Sequence, residues 1–258
     1  MCALSPQNRD HDVPTPTANI KRKAGASLLH SARTADAIGR PLNTFVTVNL
    51  WQLGISHEDA SAFFQKLREK PFGSWSRYRP RGTLAPRNGS PTHAWVIEAP
   101  SGRAHVHWML HIRPEQADGF AAKLVLWVVR QAGIENIPRG ALQIKPVRNA
   151  EGLKLYFAKG LQPQLAKLWR IVPTDQGIVH GRRVGTSRNI GPAEWRPRKA
   201  LHQRRRRATA HSRADSSGGC RQPVDLAREV RSDRLGLVVR KPASHVGHHG
   251  PPHPDVPF

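Results

Sequence analysis

Ala104-His105-Val106-His107-Trp108-Met109-Leu110-His111-Ile112 alternates in character from end to end. Val106, Trp108, Leu110 and Ile112 fall on one side of an extended chain, and His105, His107 and His111 fall on the other. The period of two predicts a strand whose apolar face packs against helices. Residues two apart on a strand share a face, about 6.6 Å apart along the chain. His105 and His107 can therefore aim two imidazoles at one ion, or they are two histidines on a solvated face. Burying two neutral imidazoles costs free energy unless both find partners.

Outward from this strand, His93 to Ala99 reads as another, and Pro100-Ser101-Gly102 as the turn between them. The two strands form a hairpin. Glu98 is the one acid between Glu69 and Glu115, and the hairpin carries it toward the histidines. It is a third ligand or a surface acid paired with Arg103. His111 ranks behind it. Two nitrogens and one oxygen suit Mn²⁺, Mg²⁺ or Zn²⁺.

Upstream, Thr44 to Trp51 is β-branched and alternating, which predicts a strand. Ser56 then opens a helix with the apolar stripe Ala60, Phe63, Phe64 and Leu67. Pro71 is expected to stop it. Residues 71–91 read as a long loop that offers Arg77, Arg79 and Arg81 to phosphates. Downstream, Pro114 starts a helix with Phe120, Leu124, Trp127 and Val128 on its buried stripe, and Gly133 ends it. Residues 141–147 form a strand and 151–159 a short helix. The order β-α-β-β-α-β is the split βαβ, ferredoxin-like pattern, an α+β fold. It predicts a four-stranded antiparallel sheet with two helices on one face and the other face free for a site.

Tyr156 and Lys159 lie one helical turn apart in the last helix and share a face. Lysine there stabilises a phenolate or the charge building on a phosphate under attack. The alternative is a core tyrosine with its hydroxyl at the surface beside an ordinary exposed lysine. Farther on, Arg182, Arg183 and Arg188 stand among glycines and hydroxyl side chains, a composition suited to phosphate contacts or to a basic surface turn.

The chain of 258 residues carries 41 Lys+Arg against 18 Asp+Glu, a net charge of +23. Such an excess favours a polyanion, most commonly nucleic acid. Residues 1–41 are polar and read as disordered, 42–195 as one nucleic-acid-binding domain, and 196–258 as a disordered basic tail rich in Arg, Pro and His. The stretch 44–195 alone holds 21 basic and 10 acidic residues, so the basic character does not depend on the ends. Cys2 and Cys220 make neither a disulfide framework nor a zinc knuckle. No apolar leader is visible and no stretch is long enough to span a bilayer, so a cytoplasmic protein without a membrane partner is expected.

The element order, the His-Val-His strand, the upstream Glu98 and the downstream Tyr156-x-x-Lys159 helix resemble the HUH endonucleases. These comprise rolling-circle replication initiators, relaxases and single-strand transposases. The resemblance covers about residues 44–160. It implies a divalent metal held by His105, His107 and Glu98, with Tyr156 as the single nucleophile and Lys159 as its helper. The partner it implies is single-stranded DNA, nicked to a 5′-phosphotyrosine and a free 3′-hydroxyl, as in replication or mobilisation of a mobile element. Two features depart from the pattern. Gly160 follows Lys159 where many replication initiators carry another aromatic residue, and no Gly-x-x-x-x-Gly-Lys-Ser/Thr loop marks a helicase. The alternative is a non-catalytic binding module, because RNA-recognition domains share the sheet order and stack bases on its open face. A cupin-like site fits less well, since no glutamate follows His107 at the required distance.

Overall fold

The computed structural model describes residues 14–216, with side chains to residue 204. In chain order the strands are β1 Pro16–Thr17, β2 Thr44–Asn49, β3 His93–Glu98, β4 His105–Leu110, β5 Leu142–Pro146, β6 Val179–His180 and β7 Val184–Thr186. The helices are α1 Arg22–Ala37, α2 Ala60–Leu67, α3 Gly73–Arg77, α4 Ala117–Ala132, α5 Ala150–Phe157, α6 Pro163–Leu168 and α7 Pro192–Ser216. Five strands form one antiparallel sheet in the order β5-β2-β4-β3-β7, with β4 at its centre. β1 and β6 pair separately.

The alternation read in 104–112 sets the layers. Val46, Val48, Trp95, Ile97, Val106, Trp108 and Leu110 turn to one face. There they meet Phe63, Phe64 and Leu67 of α2 and Phe120, Leu124 and Val128 of α4. Phe64 meets the Trp95 and Trp108 rings edge-on, with centroids 5.1 and 5.2 Å away. Together these residues form the larger core, where burial supplies most of the stabilisation.

Five sequence expectations are corrected. The sheet has five strands rather than four, because Val184–Thr186 adds to the free edge of β3. Its second face is not free. α1, α5 and α6 cover much of it with a second core that joins Leu28, Ala35, Phe157 and Ala166 to Ala94, Val96 and Met109. The segment 1–41 is not uniformly unstructured, since residues 22–37 are α1; residues 1–13 lie outside the described part. The buried face of α1 is built from Gly25, Ser27, Leu28, Ser31, Ala32 and Ala35. Small residues let the helix approach closely yet raise no strong apolar signal. A Cβ on Gly25 would stand 2.5 Å from the Leu161 side chain.

Pro71 is the fourth case. It does not end the helix. It has no N–H to donate, and the chain absorbs this in one wide turn over Arg68–Phe72 before continuing as α3. Packing holds the helical path: Phe72 lies 4.8 Å from the Trp108 ring and Trp75 5.5 Å from that of Phe120. The basic tail is also later than expected. Residues 196–216 belong to α7, the compact unit runs to His211, and 217–258 lie outside the described part. Among the described residues no helix is long and apolar enough to cross a membrane.

Candidate metal centre

The β3–β4 hairpin pairs Glu98 with His105 and Val96 with His107. Glu98, His105 and His107 therefore share the face opposite α2 and α4. The Glu98 carboxylate is 1% exposed. Its Oε2 lies 3.2 Å from His105 Nε2 and 3.8 Å from His107 Nε2. Ligand atoms of the three residues all fall within 4.8 Å of one another.

Each ring is held from behind. His105 Nδ1 lies 3.1 Å from the Arg103 carbonyl, which can only accept, so Nδ1 carries the hydrogen. In the neutral ring Nε2 then presents its lone pair to the carboxylate, and a cation between them satisfies both. His107 is wedged between Phe45 and Phe157, with ring centroids 5.5 and 6.1 Å away. Its Nδ1 sits 3.2 Å from Thr47 Oγ1. Burial pushes its pKa down to about 4, with Glu98 opposing and His105 and Lys159 reinforcing. It is therefore a neutral imidazole at neutral pH, the form that ligates metals.

Tyr156 and Lys159 reach the same place from α5 and the turn that follows it. Asn149 starts α5 by accepting the Gly152 N–H at 2.8 Å. Phe157 is fully buried beneath His107, so the preceding Tyr156 is placed at the rim, 43% exposed. Its hydroxyl lies 3.4 Å from His107 Nε2. Lys159 Nζ lies 2.9 Å from Glu98 Oε2 and 3.8 Å from the centre of the Tyr156 ring. Burial pulls the Lys159 pKa down, but hydrogen bonds to Tyr156 and Glu98 outweigh this and hold it above its ordinary value. Burial likewise raises the Glu98 carboxyl, and its contacts with His105, His107 and Lys159 outweigh that and hold it below its ordinary value.

No family model, curated protein or solved structure matches this chain. The site itself must carry the reading.

The residues fit a divalent ion. Two imidazole nitrogens and a carboxylate converge, and Glu98 Oε1 is buried without a hydrogen-bond partner among the described residues. An orphaned buried carboxylate oxygen is costly, and a cation removes the cost. His111 is not part of this group, and its Nδ1 bonds to the Pro41 carbonyl at 2.9 Å. Tyr78 belongs elsewhere, half exposed under the Arg87 guanidinium.

The arginines sort into three groups. Arg77, Arg182 and Arg188 meet in one groove of about 580 Å³ beside β7, joined by Arg68. Arg77 stands at the end of α3, not in a loop. Arg79 and Arg81 are exposed in the loop after it. Arg183 is corrected: it is 2% exposed and donates to the carbonyls of Ala18, Ile97, Gln176 and Gly177. It pins β1 and the 176–177 turn to β3 and does not face solvent.

Two residues were missed. Arg68 hid in the helix read from α2. Trp51 is 44% exposed, with the Arg103 guanidinium 5.3 Å over its ring. The Trp51 backbone N–H donates to the Ala104 carbonyl at 3.1 Å, one residue before His105. The signal in the sequence was a tryptophan placed just past the end of a strand.

Proposed function

We propose that this protein nicks and rejoins single-stranded DNA at a metal centre formed by Glu98, His105 and His107, with Tyr156 as nucleophile. The observation that carries the reading is the convergence of Tyr156 and Lys159 on the three ligand candidates, with 3.4 Å from the hydroxyl to His107 and 2.9 Å from the ammonium to Glu98. The strand order β5-β2-β4-β3 within the five-stranded sheet, with α2 and α4 on one face, adds support because a split βαβ plan would give that order.

In the reaction the Tyr156 oxygen forms a bond to phosphorus and the bond to the 3′-oxygen breaks. The phenolic proton is balanced by the one gained at the 3′-hydroxyl. The protein keeps the 5′-phosphate as a tyrosyl ester, which conserves the bond for rejoining. A bound divalent ion supplies polarisation of the phosphate and charge withdrawal. Lys159 lies over the Tyr156 ring and places a positive charge beside the phosphate under attack. Trp51 offers a face on which a base can stack, and Arg68, Arg77, Arg182 and Arg188 supply phosphate contacts. A base-stacking RNA-recognition module is disfavoured because that reading needs an open sheet face, and α1 and α5 occupy it.

The test is incubation of the full-length protein with mixed-sequence single-stranded DNA and Mn²⁺, followed by denaturing electrophoresis. A covalent protein–DNA band that disappears in Tyr156→Phe is expected. A band unchanged in Tyr156→Phe refutes the nucleophile. Binding without any band assigns the protein to the non-catalytic class.

A further inference from the structure

A second cluster of metal-ligating side chains lies apart from the site above, and the HUH resemblance does not use it. His57 and Glu58 sit in the turn before α2, and His180 ends β6. More than a hundred residues separate them in the chain. His57 Nε2 is 3.0 Å from Glu58 Oε1, and the His57 and His180 rings meet edge-on at 5.6 Å. One donor atom from each residue lies within 4.8 Å of the other two. His180 Nδ1 is enclosed and has no hydrogen-bond partner among the described residues. A simple ion pair between His57 and Glu58 engages no nitrogen of His180, whereas a cation shared by all three residues engages one.

The surroundings say what such an ion would do. β6 is two residues long, and its ladder partner is the equally short β1, through Pro16 with His180 and Thr17 with Val179. A two-residue ladder is marginal by itself. It is supplemented by the Gly181 N–H donated to the Thr15 carbonyl at 3.0 Å, the Thr17 hydroxyl donated to the Gly181 carbonyl at 3.0 Å, and the Ser61 hydroxyl donated to the Arg182 carbonyl at 2.9 Å. These bonds join the first described strand, the start of α2 and the segment before β7. Arg183, which donates to the Ala18 and Gly177 carbonyls, and the buried Val179 are the other anchors beside this ribbon.

We infer that His57, Glu58 and His180 form a second, structural divalent-metal site, suited to Zn²⁺, that clips the β1–β6 ribbon to the start of α2. Two imidazoles and one carboxylate are a zinc donor set, and the partial exposure of Glu58 leaves a coordination position for water. Ligands brought from distant parts of the chain make metal binding a folding event for the segment they join.

The test compares full-length wild type with His57→Gln/His180→Gln and with His105→Ala/His107→Ala, titrated with Zn²⁺ against a chromophoric chelator. The first variant should bind one equivalent less than wild type. The second should keep that equivalent. Zinc held elsewhere, for instance by His245, His248, His249 and His253, is common to the first comparison and cancels. Glu58→Gln, at a side chain 53% exposed, provides a gentler variant that should weaken the same equivalent. Amide exchange at Gly181 supplies a second readout. With free zinc at 100 times the dissociation constant, exchange should slow about 100-fold in wild type and stay unchanged in His57→Gln/His180→Gln. Equal zinc stoichiometry in wild type and that variant overturns the site. So does loss of both equivalents in His105→Ala/His107→Ala, or Gly181 exchange that ignores zinc. None of these outcomes depends on DNA nicking.

Discussion

Glu98→Gln removes one negative charge at the most enclosed point of the candidate metal centre. The carboxylate is 1% exposed and faces Lys159 at 2.9 Å, His105 at 3.2 Å and His107 at 3.8 Å. At an effective dielectric of about 20, the lysine contact alone represents roughly 6 kcal/mol of gross attraction. Most of that is offset by desolvation. Breaking a buried pair by removing one partner costs about 3–5 kcal/mol. The Lys159 side chain keeps 20% of its exposure, so its ammonium can partly rehydrate, and glutamine still offers an accepting oxygen. The expected loss therefore falls at or just below the lower end, about 2–3 kcal/mol. Urea unfolding in the presence of a chelator measures it without any bound ion. The cycle with Lys159→Met then isolates the pair, and a coupling of about 2 kcal/mol is expected. When Mn²⁺ is added back, wild type should gain thermal stability and Glu98→Gln should not. A coupling below about 0.5 kcal/mol, or equal stabilisation of both proteins by Mn²⁺, refutes the placement of Glu98 at the centre of the site.

Three further outcomes follow from the same geometry. Tyr156→Phe should abolish the covalent adduct yet change stability by less than about 1 kcal/mol, because the side chain is 43% exposed, the contact of its hydroxyl with His107 is long at 3.4 Å and the ring is kept; Tyr78→Phe should behave as wild type in the adduct assay. His93 is buried beside Phe72 and Trp108, and burial followed by the charges of Arg68, Arg182 and Arg77 pushes its pKa down to about 3. Its unfolded form takes up a proton below about 6.5, so its contribution is complete above that pH and falls on acidification toward pH 3. Between pH 7 and 5, His93→Phe should therefore lose about 2 kcal/mol less than wild type in denaturant titrations, and parallel profiles would contradict the assignment. Binding of single-stranded DNA should weaken steeply with salt, and Arg182→Ala/Arg188→Ala should reduce the slope of log affinity against log salt by about 1–2, as measured by fluorescence anisotropy. An unchanged slope would remove the β7 groove from the interface.

The alternation of 104–112 was enough to specify β4, its buried face and the side to which His105 and His107 point. A period of two admits one assignment once the apolar residues must be covered. The hairpin turn placed Glu98 opposite His105, because register in an antiparallel pair follows from loop length. The apolar stripes of α2 and α4 were legible for the same reason: large side chains repeating at the helical period leave few choices.

What stayed hidden rests on contacts that local pattern does not carry. α1 buries a face of Gly, Ser and Ala, whose stabilisation comes from close approach rather than from apolar bulk. Pro71 reads as a stop, yet Phe72 and Trp75 find enough aromatic surface to keep the chain helical beyond it. Arg183 looks like its neighbour Arg182 in sequence, and only the fold turns one guanidinium inward onto four carbonyls and leaves the other at the surface. The sequence by itself thus determined which strand carries the histidines and which face they take, since those depend on residues two and four apart. Tertiary structure alone decided that Tyr156 and Lys159 reach that face, that α1 covers much of the rest of it, and that His57 and His180 meet. Those distances are set by how separate elements pack, and no short-range period encodes them.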